Sequence, residues 1–412
     1  MNESRLILIL GLAGFVVMAD NWVVSPILPA IASSIQVSPV KAGLIISAYM
    51  IPFGLFQLVF GPLADRYGKQ LVVILSMTLF TLGTALCGLG VGLFDLSLYR
   101  GLTGVFAASV MPISLALIGD VVPMERRQQA IGTFMGIAFL GQGLSMAVGG
   151  SIAYFVSWRD VFFTYAALSV LSTVFLFATG REAAAKKNPN SEFLKPYLDL
   201  LRNSKSLLVY LVVLAEGILI IGSFSYLGAY TEHLFHYNYF SIGLVLTAFG
   251  VGAVISGRLS GKLVPRMGRM NVLSLGLFSA ALADVILSGA KSSAFALILG
   301  VALLGIGFML AHSTLLTIAT EFARTARGTA MSLVAFCFMG GGGVGTAIGG
   351  NAIAWTGYAD FYALYGILLF GLLLAARLAV SEMSPQDSSL LYSSLTEQTE
   401  RVGHGQDSGS GR

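Results

Sequence analysis

The sequence predicts an all-α integral membrane fold: twelve transmembrane helices in two six-helix bundles related by pseudo-two-fold symmetry. Three observations carry that expectation. The 412 residues are 56% hydrophobic and only 11% charged, against roughly 25% charged in soluble domains, so lipid must be the solvent for most of the chain. Twelve apolar segments can be counted, near 5–30, 41–62, 70–92, 95–118, 128–154, 160–179, 206–231, 241–264, 270–290, 293–317, 327–350 and 358–380. Each has about the 20 residues a spanning helix needs. The chain also repeats itself at an offset of 200 residues. Gly61, Leu63, Arg66 and Gly68 recur as Gly261, Leu263, Arg266 and Gly268; Arg127 recurs as Arg327, Gly149-Gly150 as Gly349-Gly350, and Asp160 as Asp360. Such a repeat in an apolar chain means two similar bundles in tandem. Two bundles that can rock about a central site are the architecture of a secondary transporter.

Taken in order, the first segment ends near Ala30-Ile31-Ala32, which has the look of a signal-peptide cleavage site. Removing it would delete one helix of a symmetric twelve, so it is read as a retained span. Residues 1–179 form the expected N-terminal bundle, 180–205 the linker, 206–380 the C-terminal bundle and 381–412 a polar, disordered tail. Within the linker, Pro189 and Pro196 interrupt a stretch containing Phe193, Leu194, Tyr197, Leu198, Leu200 and Leu201. That pattern fits either a short helix on the inner membrane surface or a plain flexible connection. The 49 glycines suit helices that pack closely in lipid. Cys87 and Cys337 lie inside apolar segments and read as packing. The four histidines include no pair at ligand spacing, which argues against a zinc enzyme.

Lysine and arginine set the orientation. Alternate connections, beginning with the one after the second segment, carry 15 basic residues from Arg66 and Lys69 to Arg324 and Arg327. The opposite connections carry Lys41, Arg159 and Lys291. The positive-inside rule then puts both termini in the cytoplasm.

The connection after the second segment reads GPLADRYGK, Gly61 to Lys69. Its glycines permit a tight reversal between packed helices. Asp65, beside Arg66 and Lys69 at a membrane edge, can accept from helix N-terminal amides or pair with a cation on the neighbouring bundle. Such a contact would hold one conformation and break in the other; a simple charged turn is the alternative. This segment resembles the signature loop of the major facilitator superfamily, Gly-x-Leu-Ala-Asp-Arg-x-Gly-(Arg/Lys), at Gly61, Leu63, Ala64, Asp65, Arg66, Gly68 and Lys69. The second-half copy, Gly261 to Arg269, is degenerate, with Pro265 in place of the acid. The resemblance covers residues 5–380.

Further matches resemble the twelve-span proton-coupled drug antiporters. They are Asp20-Asn21-Trp22 followed by Pro26 and Pro29 in the first span, Arg100 with Gly104 in the fourth, and Trp158-Arg159-Asp160 with Phe162 opening the sixth. Asp120 ends the fourth span where the family often has an acid pairing with the signature loop. One departure matters. The fifth span of the antiporters usually carries Gly-Pro before its Gly-Gly; here Ser145-Met146 precedes Gly149-Gly150. That motif is associated with antiport rather than uptake, so its loss puts exchange in doubt.

Ionisable groups deep in lipid cost at least ~2.5–3.5 kcal/mol each and survive where they face water, a partner or a substrate. Asp20 is the expected proton carrier, because a carboxyl whose surroundings alternate between wet and dry can load and release a proton. The resemblance places Arg100 close to it as modulator; a static ion pair is the bland alternative. Glu216 would face the same cavity from the other half, or be an edge carboxylate. Asp284 reads as structural, and His312 as a titrating group or a satisfied hydrogen bonder. Trp22, Phe139, Gln142, Tyr226 and Tyr230 lie on spans that line the pathway in the resembling fold, and they suit a greasy, partly polar solute.

The expected function is a monomeric transporter of the plasma (inner) membrane moving small amphiphilic or drug-like solutes by alternating access, with efflux by proton antiport. A proton symporter for sugar or another nutrient is the alternative, and a lipid flippase a third. The Asp65 loop with Asp120 would latch the outward-facing form. No cofactor, metal or nucleic-acid partner is expected. No phosphate-binding GxxxxGK[ST] loop exists to drive the cycle with ATP, and no enzyme constellation is visible.

Overall fold

The structure, a computed structural model, describes residues 3–179, 195–291, 293–321 and 327–381. Arg181, Lys186, Lys187, Pro189, Phe193, Leu194, Arg324 and the tail after Ser381 lie outside the described residues.

Among the described residues the chain is built from helices. The first span is two of them, α1 (Glu3–Trp22) and α2 (Val24–Ser34), bent by 52° at Val23. Pro26 and Pro29 lack the amide donors that the carbonyls of Trp22 and Ser25 would otherwise take, so the ladder cannot run straight. A short α3 (Pro39–Ala42), capped by the Ser38 side chain, leads into α4 (Leu44–Tyr67). Then come α5 (Lys69–Leu89), α6 (Leu93–Ala107) with α7 (Val110–Val121), α8 (Met124–Phe155) and α9 (Trp158–Thr179). The linker contributes α10 (Lys195–Arg202).

The seventh span repeats the broken character of the first. It runs as α11 (Ser204–Glu216), one π-helical turn (Gly217–Ile221), α12 (Gly222–Ser225) and α13 (Leu227–Phe235). After it follow α14 (Tyr239–Met267), α15 (Arg269–Ser288), α16 (Ala294–Glu321) and α17 (Arg327–Ser381). With the bent first pair counted once, eleven apolar helical segments among the described residues are long enough to cross a membrane. The last of them, α17, has 55 residues and a non-helical Gly357 at φ 80°. At 1.5 Å per residue it would measure about 80 Å, far beyond a hydrocarbon core of ~30 Å. Divided at Gly357 it is two spans, which makes twelve.

The same close approaches recur in both halves. A β-carbon on Gly104 would collide with the Tyr49 carbonyl, and one on Gly305 with the Phe249 carbonyl. Tyr49 and Phe249 stand 200 positions apart, so α6 on α4 and α16 on α14 are pseudo-symmetric contacts. Elsewhere α5 turns Leu71, Leu75, Leu79, Leu82 and Leu86 outward, all exposed and spaced three or four apart. A stripe of leucine at that period is a lipid-facing surface.

The bundles meet through α4 against α17, α8 against α14 and α2 against α13. Their closest approaches lie between mid-span and the end bearing few basic residues. Gly54 packs on the Gly340 and Phe336 backbone, Gly150 on Tyr239 and Gly243, Gly250 on Gly143, and Gly228 on Ser25. Toward the basic end, a β-carbon on Gly61, Gly132, Gly136 or Gly261 would meet nothing within 4 Å. The bundles are thus sealed at the sparsely charged end and splayed at the basic end. Of the two glycines expected to allow a tight reversal after the second span, only Gly68 does so, at φ 108°. Gly61 borders open space, because the bundles are apart there.

Candidate functional site

Asp20 sits one turn before the bend of the first span and is fully buried. Arg100, on α6, reaches it with Nη1 at 2.6 Å from Oδ2, and Nη2 lies 3.4 Å from the Asp20 carbonyl oxygen. The guanidinium lies over the Tyr49 ring at 4.1 Å, with Phe162 at 5.8 Å. A planar cation stacked on an aromatic face, with one nitrogen on a carboxylate oxygen and another toward a main-chain carbonyl, is a geometry arginine fits and lysine does not. The pair is not fully satisfied: Asp20 Oδ1 and Arg100 Nε are buried without a hydrogen-bond partner among the described residues. An open acceptor on a buried carboxylate is costly unless function retains it.

A second pair occupies the other half. Glu216, fully buried at the end of α11, has Oε2 at 3.2 Å from His312 Nδ1 on α16. Its Oε1 has no partner among the described residues. His312 is 20% exposed and lies against Phe338 at a ring distance of 4.2 Å. The π turn that follows Glu216 changes the register of the seventh span there, as such turns often do at functional positions.

An aromatic chain joins the two pairs. Trp22, two residues from Asp20, contacts Phe224, Phe249 and Phe308 at 5.0, 5.3 and 5.9 Å. Phe308 stacks on Phe338 at 5.3 Å and lies 5.5 Å from His312. Between the bundles a narrow crevice, with room for about one water molecule, is lined by Asn21, Trp22, Ser25, Met50, Phe224 and Ser225. Its lining is apolar with a few convergent polar groups, as in small-molecule sites, while the space itself is nearly closed in this form.

Of the sequence candidates, the structure brings Asp20, Arg100 and Trp22 together on one side and Glu216 with His312 on the other. Phe139 is half-buried on α8, and Gln142 is buried there with Nε2 unpartnered. Tyr226 and Tyr230 stand apart from both charge pairs. The Tyr226 hydroxyl donates to the Thr346 carbonyl at 2.8 Å, with the Val40 carbonyl at 3.4 Å, and so belongs to the sealed end. Tyr230 donates to the Leu287 carbonyl at 2.5 Å and packs on Tyr362 inside the C-terminal bundle. Asp284 accepts from Ser223 Oγ at 2.6 Å in the same interior. Sequence reasoning missed Tyr49, Phe224, Phe249, Phe308 and Phe338. The repeat offered one signal, since it pairs Tyr49 with Phe249.

At the basic end, Lys69 Nζ lies 2.7 Å from Asp120 and 3.8 Å from Asp65. Asp65 keeps 44% of its side chain exposed, and Arg66 lies 5.9 Å from the Tyr67 ring. The cluster closes on itself within the N-terminal bundle. The other half mirrors it with an Arg269–Glu321 pair.

Two broken-helix bundles around an apolar crevice, each holding a buried carboxylate against a nitrogen base, define a multi-pass membrane transporter of small molecules. The chain belongs to the Major Facilitator Superfamily, whose family profile matches residues 10–346 and 235–392. It is 26% identical to the uncharacterised MFS-type transporter YceJ of Bacillus subtilis (strain 168) over 91% of this chain and 96% of that one. It is 25% identical to Multidrug resistance protein 2 of the same organism over 68% of this chain and 72% of that one. Among solved structures, the nucleoside transporter NupG superposes with a TM-score of 0.74 at 14% identity, covering 92% of this chain and 99% of that one. At that identity the likeness speaks for the fold alone.

Proposed function

We propose that the protein exports small amphiphilic solutes across the plasma membrane in exchange for protons, with Asp20 as the proton carrier. The observation that carries this reading is the buried Asp20–Arg100 pair at 2.6 Å. It stands behind Trp22 at the edge of the crevice with one carboxylate oxygen unpartnered. Protonation of Asp20 would release Arg100, and a change in that contact is felt along α1, α4 and α6 at once. The Glu216–His312 pair and the aromatic chain would hold the solute. The similarity to multidrug resistance proteins supports a greasy cargo. Residues 1–179 and 206–380 are the bodies that rock, as a monomer. The basic end faces the cytoplasm together with both termini, so this form opens inward. Asp65 and Asp120 would latch the opposite form.

A symport reading is favoured by one observation: Ser145 and Met146 replace the antiporter Gly-Pro, and the Met146 carbonyl packs on Gly243 across the bundle contact. Vesicles loaded with a pH dye separate the two. Under antiport, an imposed solute gradient drives protons the opposite way; under symport, the same way. Asp20→Asn should abolish coupled proton movement and flatten the pH dependence of transport. Unchanged coupling in that variant would remove Asp20 from the mechanism.

A further inference from the structure

Pro62 lies inside α4, and a proline offers no amide to the carbonyl four residues earlier. The Leu58 carbonyl is therefore left without its helical donor. The Tyr197 hydroxyl, from linker helix α10, donates to it at 3.1 Å. Ser332 on α17 is within hydrogen-bond reach of the same hydroxyl. Helix α10 packs on α11 and α17, and both are parts of the C-terminal bundle. Leu58 belongs to the N-terminal one, three residues before the Gly61–Lys69 segment that ends α4. Burial pushes the Tyr197 hydroxyl above the ordinary tyrosine range, so it stays protonated and able to donate.

We propose that Tyr197 is a positioning residue: its hydroxyl ties the linker helix to the carbonyl that Pro62 exposes, and the tie favours the basic-end-open form. A bond between two bodies that rotate against each other has to be remade when they do, because hydrogen bonds weaken steeply once stretched or bent. The linker is in this respect a part of the conformational balance rather than a tether. The inference rests on the alternating-access reading.

The test reads conformer populations rather than transport. Spin labels placed across the basic end, in full-length protein in nanodiscs, give the ratio of open to closed distances. Tyr197→Phe keeps the ring and removes the donor. It should shift that ratio toward closed by roughly two- to ten-fold, the net worth of one hydrogen bond. Pro62→Ala supplies Leu58 with an intrahelical donor, so Tyr197→Phe should have little further effect in that background. An unmoved ratio, or the same shift in both backgrounds, would overturn the tie while leaving alternating access standing. A single distance population under every condition would overturn both.

Discussion

A carboxylate and a guanidinium taken out of water cannot be treated as independent residues. Removing one partner of a buried pair strands the other, at a cost of about 3–5 kcal/mol, whereas removing both charges is often close to neutral. Asp20→Asn and Arg100→Gln should therefore each lower the thermal stability of the purified protein. The double variant should recover most of that loss and still fail to couple protons. If it is no more stable than either single variant, the pair is not acting as a unit. At this scale the sequence is partly legible. Asp20, Arg100, Glu216 and His312 stand out because ions are rare in apolar segments. That Asp20 and Arg100 should meet was implied by family resemblance, and the 2.6 Å bond agrees with the expected closeness. The Glu216–His312 pairing was not visible, because 96 residues and two different helices separate the groups and no periodicity links them. The aromatic chain was hidden for another reason. With 27 phenylalanines in the chain, nothing in composition marks the few that face the crevice.

At the level of helices, glycine decides where backbones touch. Gly104 and Gly305 are each pressed on a neighbouring helix's carbonyl, while Gly61 borders empty space. Gly104→Ala should destabilise the N-terminal bundle by about 1–3 kcal/mol, the range for overpacking a filled contact. Gly61→Ala should leave stability unchanged in this conformation. Denaturation in mild detergent checks both, and equal effects would mean the contacts are looser than they look. The broken spans divide along the same chemical line. The bend at Val23 could be anticipated from Pro26 and Pro29. The π turn after Glu216 could not, since the seventh span contains no proline and its glycines are typical of the whole chain. The longest helix, α17, needed the positive φ at Gly357 to be seen as two spans, although the gap between the last two apolar segments already fell there.

For the whole molecule, the question is which end is open and what holds it so. In this form, among the described residues, Asp65 pairs with Lys69 at 3.8 Å, with much of its side chain in solvent. Neutralising it removes little from the form seen here and more from one in which the basic ends come together. Asp65→Asn should therefore shift engineered-cysteine labelling away from the sparsely charged end and toward the basic end. An unchanged pattern would remove the loop from the latch. The architecture itself was readable from composition, twelve segments and the 200-residue offset, because lipid leaves so few alternatives to spanning helices. The choice of conformation was not, since both forms use the same helices. The seams between the bundles carry a last consequence. Gly54 on the Phe336 carbonyl, Gly150 on that of Tyr239, Gly243 on that of Met146 and Gly228 on that of Ser25 are contacts between main chains. Two lining side chains cross the seam beside them: the Ser25 hydroxyl donates to the Phe224 carbonyl at 2.8 Å, and Trp22 packs on Phe224. The rest of the lining can accordingly be rewritten, one substitution at a time, while these main-chain contacts stay as they are. A lineage built this way is free to change what it carries without relearning how to move.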